Sequence, residues 1–140
     1  MRPRPVPLLP LRLARLLPLL AVLGGGAPLA AQDAAADARY QAAIEWVRLV
    51  VVEGDYAAAA AQAHPMVAAQ MTGAVIEEAW RPVAAQVGAL ESLEPKDQRM
   101  EQGLNLVILT GEFSAGTFEV LVFMNDEHQV AGFFVRPPEA

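Results

Sequence analysis

The chain has 140 residues, of which 54% are hydrophobic and 19% are charged, and its formal net charge at pH 7 is −6. It contains no cysteine, which excludes disulfide bonds, cysteine nucleophiles and a lipid anchor attached through cysteine. An acidic chain repels nucleic acid and anionic lipid, so neither is expected as a partner.

The amino-terminal segment has the pattern of a cleavable signal peptide. Four arginines lie in residues 1–15, an apolar run occupies residues 16–23, and a stretch of small residues ends at Ala31. The apolar run is shorter than the roughly 20 residues that span a bilayer. We therefore predict cleavage after Ala31, a secreted or periplasmic location, and no membrane contact afterwards. Residues 32–140 would form a single α+β domain with six basic and sixteen acidic residues, a net charge of −10.

The first half of this domain has the spacing of helices. Apolar residues at positions 40, 44, 47 and 51 recur every three or four residues and predict a helix over about 34–53. Asp55 is a suitable N-cap for a short second helix over about 56–63.

A third helical pattern begins after Thr72, another N-cap candidate, and ends at Gly88. Pro82 lies inside this pattern and lacks a backbone donor, which predicts a kink or a break near residues 80–81.

From residue 89 the pattern changes to that of β-strands. Residues 89–101 are polar and contain Pro95, which suits an edge strand, because proline cannot donate a ladder hydrogen bond. Residues 104–113, 117–125 and 129–136 are rich in Val, Leu, Ile and Phe. The sequence therefore predicts an α+β fold, with N-terminal helices packed on a curved four-stranded antiparallel sheet.

The short turn at residues 114–116 decides the register of the two central strands. A three-residue loop would pair Phe113 with Thr117 and place Glu112 opposite Phe118. A four-residue loop would instead set two glutamates directly against each other, which is unfavourable. We therefore predict the three-residue loop.

This register gives two largely apolar sheet faces. One carries Leu106, Ile108, Val120, Val122 and Phe134, and the other carries Val107, Leu109, Phe113, Leu121, Phe123, Phe133 and Val135. The helices can cover only one of them, and a large exposed apolar face marks an interaction surface. We therefore expect a symmetric homodimer through the face that the helices leave open.

Four short segments resemble the landmarks of a known family. They are Gly54-Asp55-Tyr56, Trp80, Gln86-Val87-Gly88 and the closing segment 130–137. With the order of helices before strands, they resemble the nuclear transport factor 2-like superfamily, and within it an uncharacterised exported bacterial domain family (domain of unknown function 3887). The resemblance covers residues about 36–138 and implies a cystatin-like cone. Some relatives are fused to α/β-hydrolases, which implies an accessory role beside a separately encoded hydrolase.

Most familiar catalytic patterns are missing from the sequence. The two serines, Ser92 and Ser114, lack a Gly-x-Ser-x-Gly elbow, and the two histidines are not at helical i, i+4 spacing. No glycine-rich loop precedes a helix in a way that would hold phosphate. We therefore predict neither a metal nor a cofactor.

The superfamily resemblance implies one catalytic alternative. Small isomerases and dehydratases of this superfamily use a general base in the mouth of the cone, and His64, with Tyr56 nearby in sequence, would be that base in an enzyme of isomerase or hydratase type. The simpler interpretation is that His64 caps a turn. The trio at residues 126–128, Asp-Glu-His, is expected to be a solvent-exposed hairpin turn.

The aromatic residues lead to the main functional hypothesis. Trp46 and Trp80 lie on different helices and could meet Phe118 or Phe134 over the sheet, where they would line an apolar pocket. They could equally fill the core. We expect a non-catalytic binding or interaction module that engages a small hydrophobic ligand or a protein partner, with the small enzyme and the hydrolase accessory as alternatives.

Overall fold

The computed structural model describes residues 29–138, so nearly all of the predicted signal peptide lies outside the described residues. The chain divides into two units, Met1–Asp33 and Ala34–Ala140, and the sheet belongs to the second. Helices precede strands, and the sheet is antiparallel, which confirms the α+β class. The helices are α1 (Leu29–Val51), α2 (Tyr56–Ala61) and α3 (Gly73–Val87), and the strands are β1 (Leu90–Glu101), β2 (Leu104–Phe113), β3 (Gly116–Met124) and β4 (Val130–Arg136).

Helix α1 begins earlier than the sequence pattern predicted and runs through the predicted cleavage point. Residues 30–36 contain five alanines, and alanine has the highest helix propensity, so the helix extends toward the N-terminus beyond its amphipathic part. No helix among residues 29–138 has the length and apolar character needed to cross a membrane.

Both predicted N-caps are present. The Asp55 carboxylate accepts a hydrogen bond from the Ala58 amide at 3.1 Å, and the Thr72 hydroxyl accepts one from the Val75 amide at 3.3 Å. Helix α3 continues without a break through Pro82, because it buries one face against the core and loses only one backbone donor.

The sheet has the order β1-β2-β3-β4, so β1 and β4 are its edges. The prediction of an edge strand that contains Pro95 is confirmed, and a bulge at Lys96 follows directly. The Gln98 side chain connects β1 to α1, since its amide donates to the Ala36 carbonyl at 2.6 Å and accepts from Arg39 at 3.1 Å.

The predicted register between β2 and β3 is wrong by one residue. Phe113 pairs with Gly116, which leaves a two-residue loop and places Glu112 opposite Thr117. The Ser114 amide donates to the Ala89 carbonyl at 2.8 Å, and the neighbouring amide donates to residue 87 at 3.0 Å. The turn is therefore fixed by the connection between α3 and β1, a contact distant in sequence.

The shifted register exchanges the two faces of β3. Val120 and Val122 lie in the main core with the helices, whereas Leu121 and Phe123 belong to the outer face. The outer cluster of Leu106, Ile108 and Leu121 is 1%, 3% and 7% exposed, so its burial does not by itself require a second copy of the chain. The homodimer stays a prediction.

Candidate functional site

An apolar pocket of about 440 Å³ lies between α3 and β4, entirely within the unit Ala34–Ala140. Its lining consists of Trp46, Met71, Val75, Ile76, Ala79, Trp80, Val83, Ala131, Gly132, Phe133, Phe134 and Val135. The α3 residues recur at spacings of three and four, so one stripe of the helix forms a wall.

The opposite wall runs along the free edge of β4. Consecutive residues 131–135 line the pocket, although neighbouring side chains in a strand point to opposite faces, so the strand's edge must border the pocket. At the start of this edge, the Val130 amide donates to the Gln62 carbonyl, and the His64 amide donates to the Val130 carbonyl, both at 2.8 Å. Among the described residues, the rest of this edge has no backbone partner.

Three aromatic rings form the inner part of the pocket. The Phe133 ring lies between the two indoles, with centroids 5.2 Å from Trp46 in an edge-to-face arrangement and 5.8 Å from Trp80. The Trp46 indole N–H donates to the Ala59 carbonyl at 3.0 Å. This bond ties α1 to α2 and holds in place one of the residues that line the pocket.

Residues 47–133 of the chain match a family described as protein of unknown function (DUF3887). The match covers more than half of the chain and runs from α1 into β4. The chain belongs to this family. No curated protein and no solved structure matches it. The matched part of this DUF3887 chain includes Trp80 and Phe133, while Trp46 lies one residue before it.

The predicted aromatic residues of the DUF3887 chain do not all meet in the pocket. Trp46 and Trp80 do, but Phe118 packs edge-to-face on Phe113 at 5.8 Å, away from the lining. The Phe134 ring packs on Phe123 on the outer face at 6.0 Å, and the residue contributes to the pocket rim. Sequence reasoning overlooked Phe133 as a site residue, although the alternation within β4 placed it on the same face as Phe113.

The candidate base and its neighbour lie outside the pocket lining of this DUF3887 domain. The half-buried His64 accepts a hydrogen bond at Nδ1 from the Met66 amide, 3.0 Å away, and so caps a turn. Tyr56 is half-buried and packs against the core.

The trio Asp126-Glu127-His128 lies in the turn between β3 and β4. Asp126 and Glu127 are exposed as predicted, but His128 is half-buried. The Asp126 carboxylate accepts a hydrogen bond from the Asn105 side chain at 3.0 Å. Among residues 29–138, no group of three or more His, Asp or Glu residues could hold a metal ion.

The strongest electrostatic feature of the domain lies on the outer face of the sheet. Glu119 is 2% exposed and is held by ion pairs with Lys96 and with Arg136, the latter at 3.0 Å. The hydrogen bond from Lys96 lowers the pKa of the Glu119 carboxyl, with a further contribution from Arg136, against the opposing effect of burial. The cluster joins three strands and has no part in the pocket lining.

Proposed function

We propose that this DUF3887 chain is an exported, non-catalytic binding module whose pocket holds a small hydrophobic molecule. One observation carries the proposal: no side chain on the pocket lining titrates near neutral pH. A general acid or base must lie within hydrogen-bond reach of its substrate, and the two candidates, His64 and Tyr56, are not on the lining. The leader pattern supports export.

The size and the entrance of the pocket fit this role. Its volume of about 440 Å³ lies in the range of small-molecule sites, which are lined mainly by apolar and aromatic side chains. Two lining residues on opposite walls, Val75 and Phe134, are 46% and 58% exposed. An apolar molecule can therefore reach the pocket across an apolar rim.

We propose likewise that the domain is a nuclear transport factor 2-like cone. The helices pack on one face of a four-stranded antiparallel meander, and bulges or register shifts occur in β1 and near Ala131, where they bend a sheet. An experimental structure superposed on members of that superfamily would test the assignment.

Binding of N-phenyl-1-naphthylamine, an uncharged dye that fluoresces in apolar surroundings, tests the binding function. Ala79 and Ala85 are both exposed alanines of α3, but only Ala79 lines the pocket. Ala79→Phe should weaken dye binding at least about tenfold by filling the pocket, whereas Ala85→Phe should leave it unchanged. Dye binding that is absent, or equal in both variants, would overturn the proposal.

The natural ligand can be sought in the same protein. Native mass spectrometry of material purified from the exported fraction, compared with the denatured mass, should show one extra small molecule per chain. A clean protein mass, combined with dye binding that Ala79→Phe abolishes, would mean that the ligand exchanges too quickly to survive purification.

A further inference from the structure

The polar side-chain groups of the lining residues are few enough to be assigned individually. The side chains of the lining residues include two hydrogen-bond donors, the indole N–H groups of Trp46 and Trp80. The Trp46 group is used, because it donates to the Ala59 carbonyl. The Trp80 group is therefore the side-chain donor left for a ligand.

Trp80 combines deep burial with an unpaired donor. The residue is 6% exposed, and its ring contacts Phe133, but its N–H has no acceptor among the described residues. A buried N–H without a partner is rare in native proteins, because it loses its bond to water and gains nothing in exchange. The other side chains on the lining are apolar, and the Met71 sulfur, the one heteroatom among them, is only a weak acceptor.

We infer that the molecule held in the pocket is uncharged and carries a hydrogen-bond acceptor, a carbonyl, ether or hydroxyl oxygen, that receives the Trp80 indole N–H. This inference rests on the binding function proposed above. The ligand is uncharged because the lining holds no ionised group to compensate a buried charge. It carries an acceptor because an indole nitrogen can only donate. An alkane or an unsubstituted arene would leave the donor unpaired and would bind less well.

Indane and 1-indanone test the inference, because they share one bicyclic frame and only the ketone has an acceptor. Both are titrated into the wild-type protein and into Trp80→Phe, which keeps an aromatic ring but removes the donor. The ratio of the indane Kd to the indanone Kd should fall about tenfold in Trp80→Phe. Because each ratio is taken within one protein, the stronger hydration of the ketone cancels when the two ratios are compared.

A second readout is taken on the wild-type protein, and a variant is needed only to assign its signals. The chain has two tryptophans, so nitrogen-15-labelled protein gives two indole N–H signals, and Trp46→Phe or Trp80→Phe assigns them. Saturation with 1-indanone should move the Trp80 proton signal downfield, as a new hydrogen bond does, while indane should leave it close to its free position.

The outcomes separate the two proposals. Binding of both compounds with the same ratio in wild type and Trp80→Phe, or with no downfield movement of the Trp80 signal, would overturn the inference and leave the binding function intact. If neither compound binds the wild-type protein and the naphthylamine dye does not either, the binding function itself fails.

Discussion

Replacement of Gly88 by alanine should be among the most damaging single changes in this domain. Gly88 ends helix α3 with φ +80° and ψ −158°, a backbone conformation that is almost restricted to glycine. A Cβ atom at this position would lie 1.9 Å from the Ser114 hydroxyl oxygen, far inside contact distance. That hydroxyl accepts a hydrogen bond from the Ala89 amide at 3.0 Å, at the joint between α3 and β1.

Two effects set the size of the loss. The backbone conformation costs about 1–3 kcal/mol for a residue with a Cβ atom. Displacement of the Ser114 hydroxyl adds about 0.5–1.5 kcal/mol through the lost hydrogen bond to the Ala89 amide. Gly88→Ala should therefore lower the free energy of unfolding by about 1.5–4.5 kcal/mol.

Urea unfolding followed by tryptophan fluorescence measures this loss. Gly103→Ala is the matched control, because Gly103 also has φ +80° but a Cβ atom there would meet nothing within 4 Å. The control substitution should lower the free energy of unfolding by only about 1–2 kcal/mol. The loss caused by Gly88→Ala should be smaller when Ser114 is also replaced by alanine than when it is present. A Gly88→Ala loss no larger than that of the control would refute the steric reasoning.

Three further changes test the remaining assignments. Glu119→Gln should lower the free energy of unfolding at pH 7 by roughly 1–3 kcal/mol. Because folding lowers the pKa of Glu119, the stabilisation by its carboxylate is complete above about pH 4.5 and fades as the pH falls below that value. A stability difference between wild type and Glu119→Gln that persists undiminished at pH 3 would contradict the ion-pair assignment. Trp46→Phe removes the bond to the Ala59 carbonyl and should cost about 1–3 kcal/mol in urea unfolding; no loss would mean that the bond is not maintained. His64→Gln should change the dye affinity by no more than about twofold, because the imidazole accepts a hydrogen bond from the Met66 amide and does not line the pocket. A tenfold loss of affinity in the same fluorescence titration would mean that His64 contributes to the binding site.

The helices and their ends could be predicted because local chemistry determines them. Asp55 and Thr72 cap helices through amides only three residues away, so the sequence alone contained the whole interaction. The start of α1 was misplaced because the amphipathic pattern ends before the alanine-rich segment does, and alanine continues a helix without an apolar face.

The register of β3 could not be predicted in the same way. Turn statistics weigh only residues 114–116, but the amides of this turn donate to the carbonyls of Val87 and Ala89, about 25 positions earlier. The aromatic residues of the candidate site could likewise be predicted only in part. The two tryptophans, Trp46 and Trp80, were indicated by their aromatic type and their positions on two predicted helices, whereas the third ring, Phe133, depends on which face of β4 meets the helices.

The two edge strands of the sheet differ in whether another strand can pair with them. On one side, Pro95, the bulge at Lys96 and a row of charged side chains prevent another strand from continuing the β1 ladder. On the other side, β4 is apolar and unpaired after Val130 among the described residues. A second copy can therefore extend the sheet only by placing its own β4 against this one. Such a contact is two-fold symmetric and pairs the open β4 edge of each copy. Assembly would therefore stop at a dimer and could not continue into a fibre.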